Sequence, residues 1–475
     1  MFASFNPAKA NEVVAEFSAT TSGEIDQLVT ASATAAQGWD GLLLLQRIER
    51  LARLPALLLE AKDRLARTIS LEMGKPLFEA LEEIDDASCE CAYLLGRAPS
   101  VLCGQPLTRT PDAEHQVVWQ GLGSVAVITP WNFPVEIAIW GIVGALLAGN
   151  AVLYKPSEVT PLTGQLLHEL FARLNLPAGL VGLVLGDARE GRMLVESAVS
   201  AVWFVGSEEA GLDIYCHAAK TMKKCLLELG GSSPTLLFAD IDISDELIDL
   251  LLAARFTNAG QVCSAMKRLY VEHSIFETVV QRLSLHLKDI RLTDPFADEC
   301  SMGPLASTSA FARLNDQVTQ ALALGAMSPQ IDTLHSAVSP FFPPMLLVAV
   351  TPEMSILREE VFGPVLPVVP FYNEEEAIEL ANASPYGLSA SIFCADADKA
   401  VRVAARIDAG RVLVNARKSP GIGYPVEGFK RSGLGRHQGD WLLLELARMK
   451  YIKCGRAFRP VPASEVSPVA LSSEQ

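Results

Sequence analysis

With 475 residues, half of them hydrophobic and a fifth charged, the chain has the composition of a folded protein of about three domains. Its formal charge of −16 removes the basic surface that nucleic acid or an anionic membrane requires. Nine cysteines, an odd number with no C-x-x-C pair and no Cys/His zinc spacing, exclude a disulfide scaffold and a metal centre. They point to a reducing compartment, the cytoplasm. Residues 1–14 lack the basic-then-apolar pattern of a secretory signal, so none is expected.

Residues 23–36 and 40–67 carry helical periodicity, with Pro55 a kink or division point in the second run. A further helix is predicted over 85–95, and an exposed hairpin over 105–120. The apolar run 135–153 is long enough to suggest a membrane span. Its Glu136, Asn150 and three glycines instead predict a buried helix, a turn at 148–150 and a buried strand over 151–154. Strands at 124–128, 151–154, 181–185, 201–205, 224–227 and 235–238 alternate with helices. That pattern predicts a parallel sheet covered on both faces, with ligands at the strands' carboxyl ends. A second α/β block spans about 241–430, with strands at 269–272, 346–350, 365–369, 390–393 and 412–415. Residues 456–475 form an aperiodic, mobile tail.

Several residues are candidates for chemistry. No G-x-G-x-x-G follows an early strand; Gly433-Leu-Gly435 has a late third glycine and no preceding strand. In Trp203-Phe-Val-Gly206-Ser207, a strand ends on glycine and Ser207 opens a helix, where N–H groups suit a phosphate, or where Ser207 is an ordinary cap. Lys155 closes a strand, and Glu158 is placed to accept ribose hydroxyls. Cys263 lies in Asn258-Ala-Gly-Gln-Val-Cys263, and nothing local distinguishes a reactive thiol from a buried inert one. Glu228 ends an apolar run; burial there requires either a salt bridge or a raised pKa suited to a general base. The seven histidines are read as structural.

Together, Thr129-Pro-Trp-Asn-Phe-Pro134, Lys155-Pro-Ser-Glu158, Phe204-Val-Gly-Ser207, Glu228-Leu-Gly-Gly231, Asn258–Cys263 and Glu360-Val-Phe-Gly-Pro364 resemble the aldehyde dehydrogenase superfamily, in order and spacing, over about residues 5–453. Glu72-Met-Gly-Lys-Pro76 and the run from Lys223 to Gly231 look most like its succinate-semialdehyde dehydrogenase branch. The resemblance implies an α/β fold of two domains with parallel sheets plus a small β oligomerisation arm. The implied NAD-binding domain spans 1–102 and 122–231, the catalytic domain 232–430, and the arm 103–121 with 431–455. The arm implies a homodimer or homotetramer.

It also implies roles. Cys263 is the nucleophile, Asn132 and the Cys263 backbone N–H hold the oxyanion, and Glu228 activates the hydrolytic water. Thr129, Pro130, Trp131, Asn132, Lys155, Ser157, Glu158, Gly186, Phe204, Gly206, Ser207, Gly211, Glu228, Leu229, Gly230, Glu360 and Phe362 are implied to hold the cofactor. Glu158 beside the ribose favours NAD over NADP. Phe133, Trp140, Thr257, Lys418 and Val426 are the implied substrate residues.

The chain departs from the family where Pro425-Val-Glu-Gly-Phe-Lys430 replaces Pro-Phe-Gly-Gly-x-Lys, which alters the substrate mouth. Semialdehyde enzymes carry arginine eight residues after the asparagine or six before the cysteine. Here those positions hold Trp140 and Thr257. The expectation is therefore a small uncharged aliphatic or aromatic aldehyde. Succinate semialdehyde is the alternative, received by Arg417 and Lys418. A catalytically silent scaffold, a cofactor-free thioester hydrolase and a coenzyme A-acylating enzyme are disfavoured by the retained Cys263, Glu228, Asn132 and cofactor motifs.

Overall fold

The computed structural model describes residues 1–9, 12–109, 113–329, 340–416 and 422–455. Its first six-stranded sheet is built on Ser124–Ile128, Ala151–Lys155 and Ala201–Val205, whose side chains are all buried. Such runs need no polar alternation because helices cover both faces of the sheet. The strand order is Gly433–Leu434, Lys224–Glu228, 201–205, 124–128, 151–155, Val181–Leu183, and all but the two-residue edge strand run parallel. The chain winds outward from 124–128 to 181–183, then returns to the other side at 201–205. This reversal opens a crevice between the carboxyl ends of 124–128 and 201–205.

The apolar run forms helix Glu136–Leu147, a turn through Gly149 at φ +100°, and the strand from Ala151. Buried Asn150 is fully used. Its carbonyl oxygen accepts from the Leu122 and Gly123 N–H groups (2.5 and 3.0 Å), and its amide donates to the Ala145 and Leu446 carbonyls (3.0 and 2.8 Å). No helix among the described residues is long and apolar enough to cross a membrane.

The predicted 40–67 helix is three helices: Leu44–Leu51, Leu54–Glu60 with Pro55 in its first turn, and Lys62–Met73. Pro55 thus starts a helix, where its missing N–H has no partner to lose. The helix predicted at 85–95 runs from Leu77 to Leu102. An antiparallel hairpin, Phe2–Asn6 with Glu12–Phe17, had no sequence signal.

The second sheet is wholly parallel, in the order Met345–Leu347, Val365–Phe371, Met266–Glu272, Ser233–Leu237, Ser389–Phe393, Arg411–Val414. A separate antiparallel sheet joins Gln105–Arg109, Ala113–Gly121 and Ala447–Gly455. Here one expectation is corrected. Residues 431–446 are not part of this arm: Gly433–Leu434 pairs with Leu227 and Glu228 in the first sheet, and Gly439–Glu445 is a helix. Leu442, Leu443 and Leu446 form a buried helical face there, so the arm's last strand begins at Ala447. The expected tail, 456–475, lies outside the described residues.

Candidate active site

The carboxyl end of strand 224–228 in the first sheet lies against the segment that enters strand 266–272 of the second, with Gly231 packed on the Cys263 carbonyl. Glu228 is the last residue of its strand in the first sheet, whereas Cys263 precedes strand 266–272 of the second. Helix Asp245–Phe256 ends just before Thr257, and the chain then takes three consecutive left-handed residues, Asn258 (φ 52°), Ala259 (φ 53°) and Gly260 (φ 72°). Non-glycine residues held there cost on the order of 1–3 kcal/mol each.

A hydrogen-bond lattice holds this turn. The Asn258 N–H donates to Glu79 (2.8 Å), the Asn258 side-chain amide to the Asn132 carbonyl (3.0 Å), and the Gln261 side-chain amide to the Asn258 carbonyl (3.1 Å). The buried Arg255 guanidinium donates to the carbonyls of Val361, Gly363 and Val365. At Gly260 a Cβ would lie 2.5 Å from the Gly363 oxygen, so only glycine fits.

The turn brings Cys263 to the end of the first sheet, where the charge of Glu228 acts on its thiol. Burial pushes Glu228 up to about 7; the neighbouring Cys263 opposes this, and the charge of Glu360 adds to it. Burial and the adjoining Glu228 push the thiol well above its ordinary range. Asn132 donates one amide N–H to the Gln261 carbonyl (3.0 Å). Among the described residues its second amide N–H has no protein partner.

Glu360 accepts the Gly231 N–H (3.2 Å) and stands 3.7 Å from Lys267 Nζ. Lys267 is buried, donates to the Val361 carbonyl (3.0 Å), and is pulled down to about 7 by burial. Phe362 meets the edge of Trp131 at 5.6 Å and lies 4.6 Å from Lys267 Nζ. Gly230 packs beside the Glu360 carboxylate, and the Leu229 N–H donates to Ser432.

At the crevice, Thr129 is buried and its N–H donates to the Lys155 carbonyl (3.1 Å), while Pro130 and Trp131 remain partly exposed. Buried Phe204 packs against Gly206, and Leu229 packs against Gly211. The hydroxyl of Ser207 caps helix Glu208–Ala219 by accepting the Ala210 N–H (3.3 Å). Further along the sheet edge, a cavity of about 300 Å³ is lined by Glu158, Gly186, Asp187, Arg189 and Glu190, among others. Lys155 Nζ donates to the Pro156 carbonyl (3.2 Å), and burial lowers its pKa against the pull of Glu158, Asp187 and Glu190. The Ser157 hydroxyl donates to Glu158 (3.4 Å).

The expected substrate residues fall into three groups. Phe133 and Trp140 are partly exposed while most of helix 136–147 is buried, and Glu136 shares their spacing of three and four. These positions form one open helical face. Beneath it, Lys75 Nζ sits 3.7 Å from the Phe133 ring centre and 2.5 Å from Glu83, which accepts the Val135 N–H (2.8 Å). Thr257 donates its hydroxyl to the Ala253 carbonyl (2.8 Å) and lines a separate cavity of about 500 Å³. Val426 is buried, is not among that cavity's lining residues, and accepts the His437 N–H (2.8 Å). Lys418 and Arg417 lie outside the described residues.

Two residues were missed. Arg411 lines the 500 Å³ cavity; its signal was a charged residue heading the apolar strand Arg-Val-Leu-Val. Glu136 was noted only as an interruption of an apolar run, although it lies three residues after Phe133 and four before Trp140.

Two parallel α/β sheets with a thiol, a carboxylate and an anchored amide between them define a two-domain dehydrogenase. The profile of the Aldehyde dehydrogenase family matches residues 1–452, and the chain belongs to that family of oxidoreductases. It is 33% identical to the chloroplastic betaine aldehyde dehydrogenase of Beta vulgaris, over 94% of this chain and 91% of that one. It is 36% identical to the NADP(+) succinate-semialdehyde dehydrogenase of Deinococcus radiodurans, over 95% and 94%. The betaine aldehyde dehydrogenase of Staphylococcus aureus, solved in complex with NAD+, superposes with a TM-score of 0.90 at 33% identity, covering 97% of this chain and 93% of that one.

Proposed function

We propose that this chain oxidises an aldehyde to a carboxylic acid, with NAD as electron acceptor. The observation that carries the reading is the meeting of Cys263, on the turn braced by Asn132, Asn258 and Gln261, with the buried Glu228 carboxylate, whose charge acts on the thiol. Glu228, ionising at about 7, takes the thiol proton as the sulfur bonds to the aldehyde carbon. The carbonyl oxygen becomes an oxyanion, for which the second Asn132 amide N–H and the Cys263 backbone N–H are the donors. Such donors contribute about 3–4 kcal/mol at a transition state. Bound NAD supplies the acceptor for the hydride that leaves the thiohemiacetal carbon. A thioester then remains on Cys263. Glu228, having lost its first proton to solvent, deprotonates the water that opens the thioester and releases the acid.

The residues that would hold NAD are the crevice set: Thr129–Asn132, Phe204, Gly206, Ser207 and Gly211 at the switch point, and Lys155, Ser157, Glu158 and Gly186 at the ribose. Glu228–Gly230, Glu360 and Phe362 would hold the nicotinamide half. Their chemistry fits the group: Glu158 lines one cavity with Asp187, Glu190 and the single cation Arg189, a net negative surround in which Glu158 accepts ribose hydroxyls and disfavours a 2′-phosphate. This supports NAD over NADP, although the Deinococcus relative is named for NADP(+).

For the substrate, the aliphatic or aromatic body of the aldehyde lies along Phe133 and Trp140, as the sequence led us to expect for an uncharged aldehyde. A semialdehyde is the second reading, favoured by Arg411. We place the protein in the reducing cytoplasm, where its nine free thiols persist. We assign it a homo-oligomer built on strand 447–455, whose Met449 and Tyr451 are exposed.

The test is reduction of the nicotinamide followed by absorbance over uncharged aldehydes and succinate semialdehyde, each with NAD and NADP. Turnover with NAD that is lost in Cys263→Ala is the expected result. Equal turnover in Cys263→Ala would refute the mechanism.

A further inference from the structure

Two glutamates one turn apart on helix Leu77–Leu102 each hold one of the two segments that carry the oxyanion donors. Glu79 accepts the Asn258 N–H (2.8 Å), on the turn that leads to Cys263. Glu83 is buried and accepts the N–H groups of Val135 (2.8 Å) and Glu136 (3.3 Å), on the segment that follows Asn132. Residues four apart share a helix face, with a rise of about 6 Å between them. The bonds close a ring. The Asn258 side-chain amide reaches the Asn132 carbonyl, and the Asn132 amide reaches the Gln261 carbonyl, each at 3.0 Å.

Helix stability alone does not account for Glu79. Two carboxylates at a spacing of four repel and weaken the helix that carries them. Lys75, 2.5 Å from Glu83, offsets that one. Glu79 suits the first turn of its own helix, yet it meets the chain where helix Asp245–Phe256 ends, and a negative charge there opposes the dipole. What it holds is the N–H of a residue at φ 52°, the first of three left-handed residues ahead of the nucleophile.

We infer that Glu79 is a positioning residue for the oxyanion site: with Glu83 as the fixed point, it sets the distance between the Cys263 N–H and the second Asn132 amide N–H. The inference rests on the reading of the chain as an aldehyde-oxidising enzyme. Such donors act only when they stand about 2.7–3.1 Å from the developing charge. Without the Glu79 bond the turn keeps its tie to Asn132 but loses its tie to the helix, so the two donors no longer converge on one oxygen. The effect falls on the chemical step, because the residues that would bind aldehyde and cofactor keep their own contacts.

The experiment measures kcat and KM with NAD and the best substrate among hexanal, benzaldehyde and succinate semialdehyde. The proteins are the wild type, Glu79→Ala, Glu79→Gln, Asn132→Ala and the double variant Glu79→Ala with Asn132→Ala. Leu94→Ala, a buried change about four turns further along the same helix, is the control for destabilisation, and thermal unfolding is measured on all. Glu79→Ala is expected to lower kcat about 10–100-fold, the range of a charge-assisted hydrogen bond. KM for aldehyde and for NAD should change less than about threefold. Glu79→Gln, which keeps an acceptor oxygen at the same reach, should recover most of the loss. In the Asn132→Ala background, where one donor is already gone, Glu79→Ala should cost less than about threefold more. If Glu79→Ala does not fold, Glu79→Asp carries the test: one methylene shorter, it displaces the turn by about 1 Å, and kcat should fall about tenfold or more. Three outcomes overturn the inference and leave the enzymatic reading intact: kcat of Glu79→Ala or Glu79→Asp within threefold of wild type, full multiplication of the Glu79→Ala and Asn132→Ala losses, or an equal fall in kcat in Leu94→Ala. Absence of turnover with every aldehyde in the folded wild type overturns the enzymatic reading itself.

Discussion

Asn132 and Asn258 are tied to each other's segments: the Asn258 side-chain amide donates to the Asn132 carbonyl, and the Asn132 amide donates to the Gln261 carbonyl, each at 3.0 Å. The loop leaving the first sheet and the turn entering the second are therefore positioned as one unit. Asn258→Ala should remove two bonds, to the Asn132 and Gln261 carbonyls, and place a less tolerant residue at φ 52°. We expect a loss of about 1–3 kcal/mol in stability. The fall in kcat should be larger than that in an equally destabilised variant remote from the site. Thermal unfolding and steady-state kinetics on the same preparations check both.

Glu228→Gln should abolish turnover while stabilising the fold at alkaline pH. The folded-state pKa of Glu228, about 7, lies above the ordinary carboxylate value of 4.5. The folded protein therefore binds this proton more tightly than the unfolded chain does. Stability from this group is complete below about 4.5 and is lost as pH rises through 7. At pH 8 the difference between variant and wild type should be on the order of 3 kcal/mol, vanishing near pH 4.5. Denaturant titrations at both pH values measure it; equal differences at the two would refute the burial argument.

Activity of the wild type should rise with pH through about 7 and then level off, because Glu228 must be ionised to accept a proton. The rate–pH profile of kcat/KM checks this. A profile flat between pH 5.5 and 8.5 would remove Glu228 as the base.

Glu158→Gln should relax cofactor choice. One of three carboxylates around the 300 Å³ cavity loses its charge while Arg189 stays, so the penalty on a 2′-phosphate drops. The ratio of kcat/KM for NADP over NAD should rise about tenfold, equivalent to 1.4 kcal/mol. Asp187 and Glu190 remain, so full reversal is not expected.

Gly260→Ala should be poorly tolerated, since φ is +72° and the new Cβ would lie 2.5 Å from the Gly363 oxygen. A loss of at least about 1–3 kcal/mol follows. Gly23→Ala is the control: nothing lies within 4 Å of its would-be Cβ, and it sits in the first turn of a helix. It should be neutral or slightly stabilising, and thermal unfolding separates the two.

The first sheet was readable because runs such as Val125-Ala-Val-Ile128 and Ala201-Val-Trp-Phe-Val205 are uniformly apolar and bounded by turn residues. The same uniformity hid the division of 40–67, since periodicity persists across Gly41 and Arg53 while the backbone breaks. The segment 431–446 was assigned to the arm on the resemblance, together with the strand that follows it. Its pairing with Leu227 and Glu228 is a long-range contact that no local pattern encodes. At the site, Cys263, Glu228 and Asn132 were named from motifs, but their approach depends on a left-handed turn at Asn258 and Ala259, where Ala259 goes against residue preference. Arg411 was passed over because one charge at the head of a strand resembles an ordinary solvent-facing end. Only the register with Ser389 and the cavity in front of it make it distinctive.

The meeting of a strand's carboxyl end in the first sheet with the lead-in to a strand of the second divides the machine into parts with different tolerance to change. At the carboxyl ends of the first sheet, glycines, caps and crossing loops set the backbone itself, so substitution there disturbs the redox half. At the amino ends of the second sheet, Ser233, Ser389 and Arg411 are strand-first residues whose side chains can be exchanged while the ladder hydrogen bonds stay in place. Replacements at these strand heads therefore change the side chains offered at that edge while the strands themselves stay where the ladder puts them.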